Sequence, residues 1–486
     1  MQTSTNDSKA SAIFDEKGVV VDKSLAHFGE QFRKLPAFVV DFLISEMVDP
    51  VDPISGMENI GALLDKHLMN SDQKDLIKSR IRENGEYTLI GRIRCRFDES
   101  KDEYWVDVES LGNQNVRIDQ QLIEQYGDTL LTTGAWGVFK IVYDQSFVMK
   151  NKLYPFVVTD FKPMQITGIN LDSWIQKREK FTDGEWLDLM ITSIGFDPDS
   201  LSYEEKILYL VRLVPFVESN VNMIELGPPE TGKTFAFQSL SAHGFVASGG
   251  QTSVASLFYD KLRRQMGLIG YKDVVMFDEI ASSRGGNKWS GLGELVDMLK
   301  DFMNSGRFGR GTADFTSGCS IVFAGNIDCN REERAVSARY RNFFTPLPQS
   351  INNDRAFLDR IHGFIPGWRF GQIRESRLST GIGFMADYLG EIIHKMRDKS
   401  YANLILQNVN FSDMSQRNQR SLVRISSGLI KLLFPHKTVN TVRQNELETV
   451  LDVAVDLRQR VLDQLAVIAP NEFRGIKLSY TFKGND

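Results

Sequence analysis

Cysteine is scarce in this 486-residue chain: Cys95, Cys319 and Cys329 stand far apart, and no Cys-x-x-Cys pair occurs. That is too few and too scattered for a disulfide framework or a cysteine zinc site, and a reducing compartment fits best. Long apolar runs are also missing. "FVVDFLI" and "LVRLVPFV" fall well short of the ~20 residues a membrane span needs. The opening "MQTSTNDSKASAIFDEKG" is polar and lacks an apolar signal core, so a cytoplasmic protein with no membrane partner is expected. Nor is there a basic excess. With a net charge of −6, any contact with nucleic acid must come from local patches that the average conceals.

What is present divides the chain into segments. Residues 1–22 read as disordered, and 23–83 as a helical subdomain carrying "SLAHFGEQFRKLPAFVVDFLISEM" and "SDQKDLIKSRIREN". At "NGEYTLIGRIRCRFDESKDEYWVDVESLG" the period changes to two, so 84–165 is expected to be a β-rich, barrel-like subdomain of the oligonucleotide-binding type. Arg92, Arg94 and Arg96 share one side of its first strand. They suit a polyanion such as DNA, or they pair with Glu103, Asp107 and Glu109 of the next strand. A helical linker at 166–202 leads to an α/β core at 203–375, followed by a helical lid and C-terminal helices at 376–486.

The chemistry concentrates in the α/β core. "GPPETGKT", comprising Gly227, Pro228, Pro229, Glu230, Thr231, Gly232, Lys233 and Thr234, follows an apolar strand and opens into a helix. That context makes it a P-loop: backbone N–H groups face the phosphates of ATP, Lys233 reaches the β and γ phosphates, and Thr234 holds Mg²⁺. "YKDVVMFDEIASS" is a buried-strand run ending in Asp278 and Glu279. Asp278 is placed to bind Mg²⁺ and Glu279 to polarise the attacking water.

A third apolar strand, "CSIVFAGNID", ends at Asn326. Here the chain resembles the AAA+ ATPases, in which this strand lies between the other two and its terminal polar residue orients the water. "DRAFLDRIHGFIPGW" resembles Lon-type and MCM-type motors, which implies that Arg360 is an arginine finger reaching a neighbouring subunit, with Arg339 and Arg341 as rivals. "SQRNQRSLVRISSGL" resembles the MCM segment carrying sensor 2, which implies Arg417 ahead of Arg420 or Arg424. A head-to-tail interface of this kind implies a homo-oligomeric ring, a hexamer or stacked rings.

In the same relatives a β-hairpin projects into the central pore between Walker B and sensor 1. "MNSGRFGRGTADFTSG" occupies that place, with Gly306, Gly309 and Gly311 for turns. The resemblance puts Arg307 and Arg310 on the cargo's phosphates, and Phe308 against the hairpin or the cargo. A second loop, "SSRGGNKWSG", adds Arg284 and Lys288. The competing reading is a solvated connector whose arginines pair with Asp301 and Asp314.

Over nearly its full length the chain resembles the BrxL family, the AAA+ component of BREX phage-defence systems. The resemblance rests on "LPAFVVDFLISEM", "GPPETGKT", "FDEIA", "MNSGRFGRG", "FAGNID", "AFLDRIHGFIPGW" and "SGLIKLLFP". It implies an MCM-like ring ATPase acting on double-stranded DNA beside other BREX proteins. Many members add a Lon-protease-like domain, for which a chain ending at Asp486 has no room, so no proteolysis is expected of it. Two alternatives stay open: a Lon-like protein unfoldase gripping cargo with Phe245-Val246, and a non-motor ATPase that assembles on partners.

Overall fold

The computed structural model describes residues 5–27, 32, 35–49, 51–69, 71–132, 134–149, 151–164, 169–235, 237, 241–248, 252–260, 265–281, 293–310, 313–411 and 414–484. It divides into two compact units, one of residues 15–169 with 385–388, the other of residues 1–14, 170–384 and 389–486.

In the first unit, alternating sequence produces a barrel. Strands β1 (Glu86–Asp98), β2 (Glu103–Val108), β3 (Asn113–Ile118), β4 (Ala135–Tyr143) and β5 (Phe156–Pro163) close in the order β1-β2-β3-β5-β4. Inward positions bury Leu89, Ile93, Cys95, Val106, Phe139, Ile141 and Phe161. Ile77 and Ile81 join them from a helix at Lys74–Asn84, as does Leu130 from one at Gln120–Leu130. Closure leaves no unpaired sheet edge, which is how a small barrel this rich in strand formers stays closed to edge pairing. Arg92, Arg94 and Arg96 lie half-buried on the outer face, as the alternation predicts. Arg96 donates to Asn115 Oδ1 at 2.6 Å and sits 4.0 Å from Asp107, so part of the acid-pairing alternative holds there.

The second unit is built on a five-stranded parallel sheet. Its strands are β6 (Met223–Gly227), β7 (Gly244–Ser248), β8 (Val274–Asp278), β11 (Ser320–Asn326) and β12 (Gly363–Pro366); β9 and β10 are a hairpin described below. The sheet order is β7-β8-β11-β6-β12, so the Asn326 strand lies between the P-loop and Asp278 strands. β6, β8 and β11 are buried on both faces, which is why they read as continuous apolar runs. Two long helices, α1 (Gln416–Leu433) and α2 (Gln444–Ile468), pack together in the same unit.

Two expectations change, and the helical linker resolves into two pieces. Residues 5–13 form a helix rather than part of a disordered tail. Phe14, fully buried, packs on Phe181 at 6.1 Å and Lys9 bonds Glu185 at 2.6 Å, so one aromatic anchor orders a polar segment. The linker is two helices, Leu171–Arg178 and Asp183–Ser193. Thr182 and Glu185 form a capping box that restarts the chain between them. Phe245 and Val246 lie inside β7, paired with Val275 and Met276 of β8. Strand residues bonded into the sheet cannot serve as a gripping loop.

Candidate active site

Parallel strands put their C-terminal ends, and the loops that follow, on one edge of the sheet. Gly227 and Asn326 are direct partners across β6 and β11, and Asp278 ends β8 two strands from Gly227. The P-loop begins where β6 stops. Gly232 takes φ +73°, a backbone conformation that favours glycine. Phe235 and Phe237, just beyond, are helical.

The predicted side chains converge. Lys233 Nζ donates to Pro228 O at 2.6 Å, Gly227 O at 3.3 Å and Asn326 Oδ1 at 3.2 Å. Burial lowers its pKa, opposed by the charges of Glu225 and Asp278. Thr234 Oγ1 donates to Asp278 Oδ2 at 2.7 Å, which brings together the two oxygens expected to share Mg²⁺. Glu279 is exposed and held at φ +54°, with its N–H on Asp278 Oδ1 at 2.8 Å. A positive φ in a non-glycine residue costs of order 1–3 kcal/mol and aims the side chain out of the strand direction. Glu230 has a similar φ of +65°, fastened where Ile373 N–H meets its carbonyl at 2.9 Å.

Sequence reasoning missed the support beneath this loop. Arg212 and Glu225 form a two-pronged ion pair at 2.6 and 3.0 Å, each almost fully buried. The guanidinium carbon lies 3.8 Å from the Phe370 ring centroid. Glu225 is two residues before Gly227, so the pair fixes the strand from which the loop springs. An acid in an apolar strand is the only signal the sequence offered. Arg331, also missed, reaches Pro229 O at 3.4 Å from the segment after Asn326.

Arg360 and Arg417 are elsewhere. The Asn222 side chain, just before β6, donates to Arg360 O at 3.5 Å. Arg360 therefore stands at the start of the strand whose end carries Gly227, five residues or about 16 Å away. Its Nη1 bonds Ala356 O. Arg417 pairs with Asp359, and the buried Arg458 ties that segment to α2 through Asp359 Oδ1 and Ile361 O, both at 2.6 Å. Neither predicted arginine joins its own P-loop. Of the rivals, Arg339 pairs with Asp328, beyond Asn326.

The expected hairpin is present. β9 (Arg307–Arg310) pairs antiparallel with β10 (Ala313–Thr316), following a helix at Gly293–Ser305. Gly306, at φ +68°, makes the corner, and Ser317 N–H closes the base on Gly306 O at 2.9 Å. Gly309 lies within the ladder opposite Asp314 rather than in a turn. Phe308 is buried, with ring centroids 5.1 Å from Phe258, 6.0 Å from Phe302 and 5.4 Å from Phe315. It anchors the hairpin, and Arg307 is exposed. Gly311, Arg284, Lys288 and the Arg310 side chain lie outside the described residues. No helix among the described residues is long and apolar enough to cross a membrane.

Comparison with known proteins agrees with the ATP-site reading. Residues 156–479 match the family described as "Lon-like protease BrxL-like, ATPase domain", and residues 13–143 match "BREX system Lon protease-like protein BrxL N-terminal". Two curated relatives are each called "Lon-like protease BrxL". The one from Bacillus cereus (strain H3081.97) is 32% identical over 95% of this chain and 67% of its own length. That from Escherichia coli O9:H4 (strain HS) is 31% identical over 95% and 65%. The chain thus spans about two thirds of the length of these relatives. Among solved structures, a full-length MCM homolog from Methanopyrus kandleri aligns with a TM-score of 0.41 and 11% identity, covering 77% of this chain and 78% of its own. Matched in both its N-terminal and ATPase regions, the chain belongs to the BrxL family.

Proposed function

We propose that this chain is an ATP-hydrolysing ring motor of the AAA+ class that binds or encircles duplex DNA and acts in BREX phage defence with other BREX proteins. The observation that carries this reading is the separation of its two half-sites. Lys233, Thr234, Asp278 and Asn326 gather at one edge of the sheet, while Arg360 and Arg417 stand at the other. A subunit built this way offers its P-loop to one neighbour and its arginines to the next, and head-to-tail repetition closes a ring.

The P-loop residues fit ATP and Mg²⁺. The loop's N–H groups would take the phosphates, Thr234 and Asp278 would hold the ion, and Lys233 would reach the transferred phosphoryl group. The ion supplies charge stabilisation on the phosphates. Glu279 and Asn326 orient water, and Arg360 from the neighbour stabilises the transition-state charge, with Arg417 as sensor 2.

DNA would be gripped by Arg307 and Arg310 on the hairpin, by Lys288, and on the barrel by Arg92, Arg94 and Arg96. Burial of Phe308 supports the hairpin as a rigid lever, joined at its base to the helix before it and to β11. The unfoldase alternative loses its gripping pair to β7. ATP turnover should rise on adding duplex DNA at low salt, and Arg307→Ala with Arg310→Ala should abolish the rise while sparing basal turnover. An active preparation that binds no DNA overturns the reading and leaves the assembly-switch alternative.

A further inference from the structure

At the sheet edge opposite the P-loop, side chains from three separate stretches meet. His243 immediately precedes β7, Asp273 immediately precedes β8, and His394 lies on the helix Ala386–Met396. One ligand atom from each can be chosen so that all three lie within 4.8 Å of one another. His394 Nδ1 lies 2.7 Å from Asp273 Oδ2, and the two imidazole rings are stacked, with centroids 3.9 Å apart and planes within 3°.

The surroundings are those of a built site rather than of a chance cluster. Asp273 N–H donates to His243 O at 2.9 Å, so the starts of β7 and β8 fix two of the three groups to each other. Arg397 Nε holds the other Asp273 oxygen at 3.3 Å. Glu391 Oε1 lies 2.7 Å from His243 Nε2, the outer carboxylate that metal-binding imidazoles commonly have. His243 and Asp273 are largely buried, whereas His394 is 43% exposed and gives access from solvent.

We propose that His243, Asp273 and His394 bind one divalent transition-metal ion of the zinc class. Two imidazoles and a carboxylate are a donor set suited to such an ion, with water as fourth ligand. Glu391 orients His243 through Nε2–H and leaves Nδ1 to the ion. Around a tetrahedral ion with bonds of about 2.1 Å the donor atoms stand roughly 3.4 Å apart. Ligation therefore opens the 2.7 Å approach of His394 Nδ1 to Asp273 Oδ2, and the exposed His394 ring turns out of the stack. Two ligands stand on strand ends and one on a helix, so the ion fastens that helix to the sheet.

Untagged protein without nucleotide, titrated with Co²⁺, should develop the visible bands of a tetrahedral ion to one equivalent, and Zn²⁺ should displace them and raise the melting temperature. Glu391→Gln should weaken binding by about 10- to 100-fold. His394→Asn should abolish the bands with unchanged circular dichroism, and His436→Ala, remote in sequence, should keep them. Absence of stoichiometric binding, or bands that survive in His394→Asn, overturns the proposal. Because His394 is exposed, its variant decides the matter without disturbing the buried pair.

Discussion

Replacing Phe308 by alanine should free the hairpin without unfolding the ATPase unit. Its ring is 6% exposed and meets three other rings. Truncating a buried phenylalanine costs about 3–5 kcal/mol, of which each aromatic pair accounts for about 0.5–1.5 kcal/mol. Against this stands a ladder of only four registered pairs, Arg307 with Thr316 through Arg310 with Ala313. A two-stranded hairpin is marginal on its own, so losing the anchor exceeds what the ladder retains and the hairpin opens locally. Hydrogen exchange reads this directly: amides of residues 307–310 and 313–316 should lose protection while those of Ile321–Ala324, deep in the sheet, keep it. Any stimulation by duplex DNA should fall with it. Unchanged protection in these two strands would refute the reasoning, since the hairpin would then be held by something other than Phe308.

Other perturbations probe the site and its frame. Glu279→Gln should slow hydrolysis by about 100-fold or more while ATP stays bound in a filter assay; brisk turnover would show the wrong acid was chosen. Arg212→Met strands Glu225 in the interior and should cost about 3–5 kcal/mol in urea unfolding, with much of the loss recovered by adding Glu225→Leu. Stability should also fall in mild acid. Burial pushes the His436 imidazole from 6.5 down to about 4. It pushes His362, whose Nδ1 accepts the Asn222 N–H at 2.9 Å, well below its ordinary value. Both are neutral when folded and take up a proton on unfolding, so stability declines as pH falls from about 6.5 toward 4. His436→Gln should flatten that decline in urea midpoints, and an identical slope would count against it.

The grouping of Lys233, Thr234, Asp278 and Asn326 was legible because these residues stand at or just beyond the ends of strands. Gly227, Asp278 and Asn326 each end an apolar run, and parallel pairing brings strand ends together without further information. The barrel was legible for a similar reason, since a period of two fixes inside and outside. What escaped depends on distances that no local pattern encodes. Arg212 meets Glu225 across 13 positions and His243 meets His394 across 151, and nothing beside either residue announces its partner. The helix at 5–13 was hidden because Phe14 orders it by burial against Phe181 rather than by local propensity. Phe245-Val246 misled because an aromatic–apolar pair has the same composition in an edge strand as in a gripping loop.

The central claim is an ATP site shared between subunits, Lys233 from one and Arg360 from the next. Lys233→Ala and Arg360→Ala should each be inactive when purified alone. Mixed in equal amounts and allowed to exchange, they should regain turnover, because about a quarter of the interfaces in a random ring then pair an intact P-loop with an intact arginine. A mixture as inactive as its components, in rings shown to exchange subunits, would contradict the account.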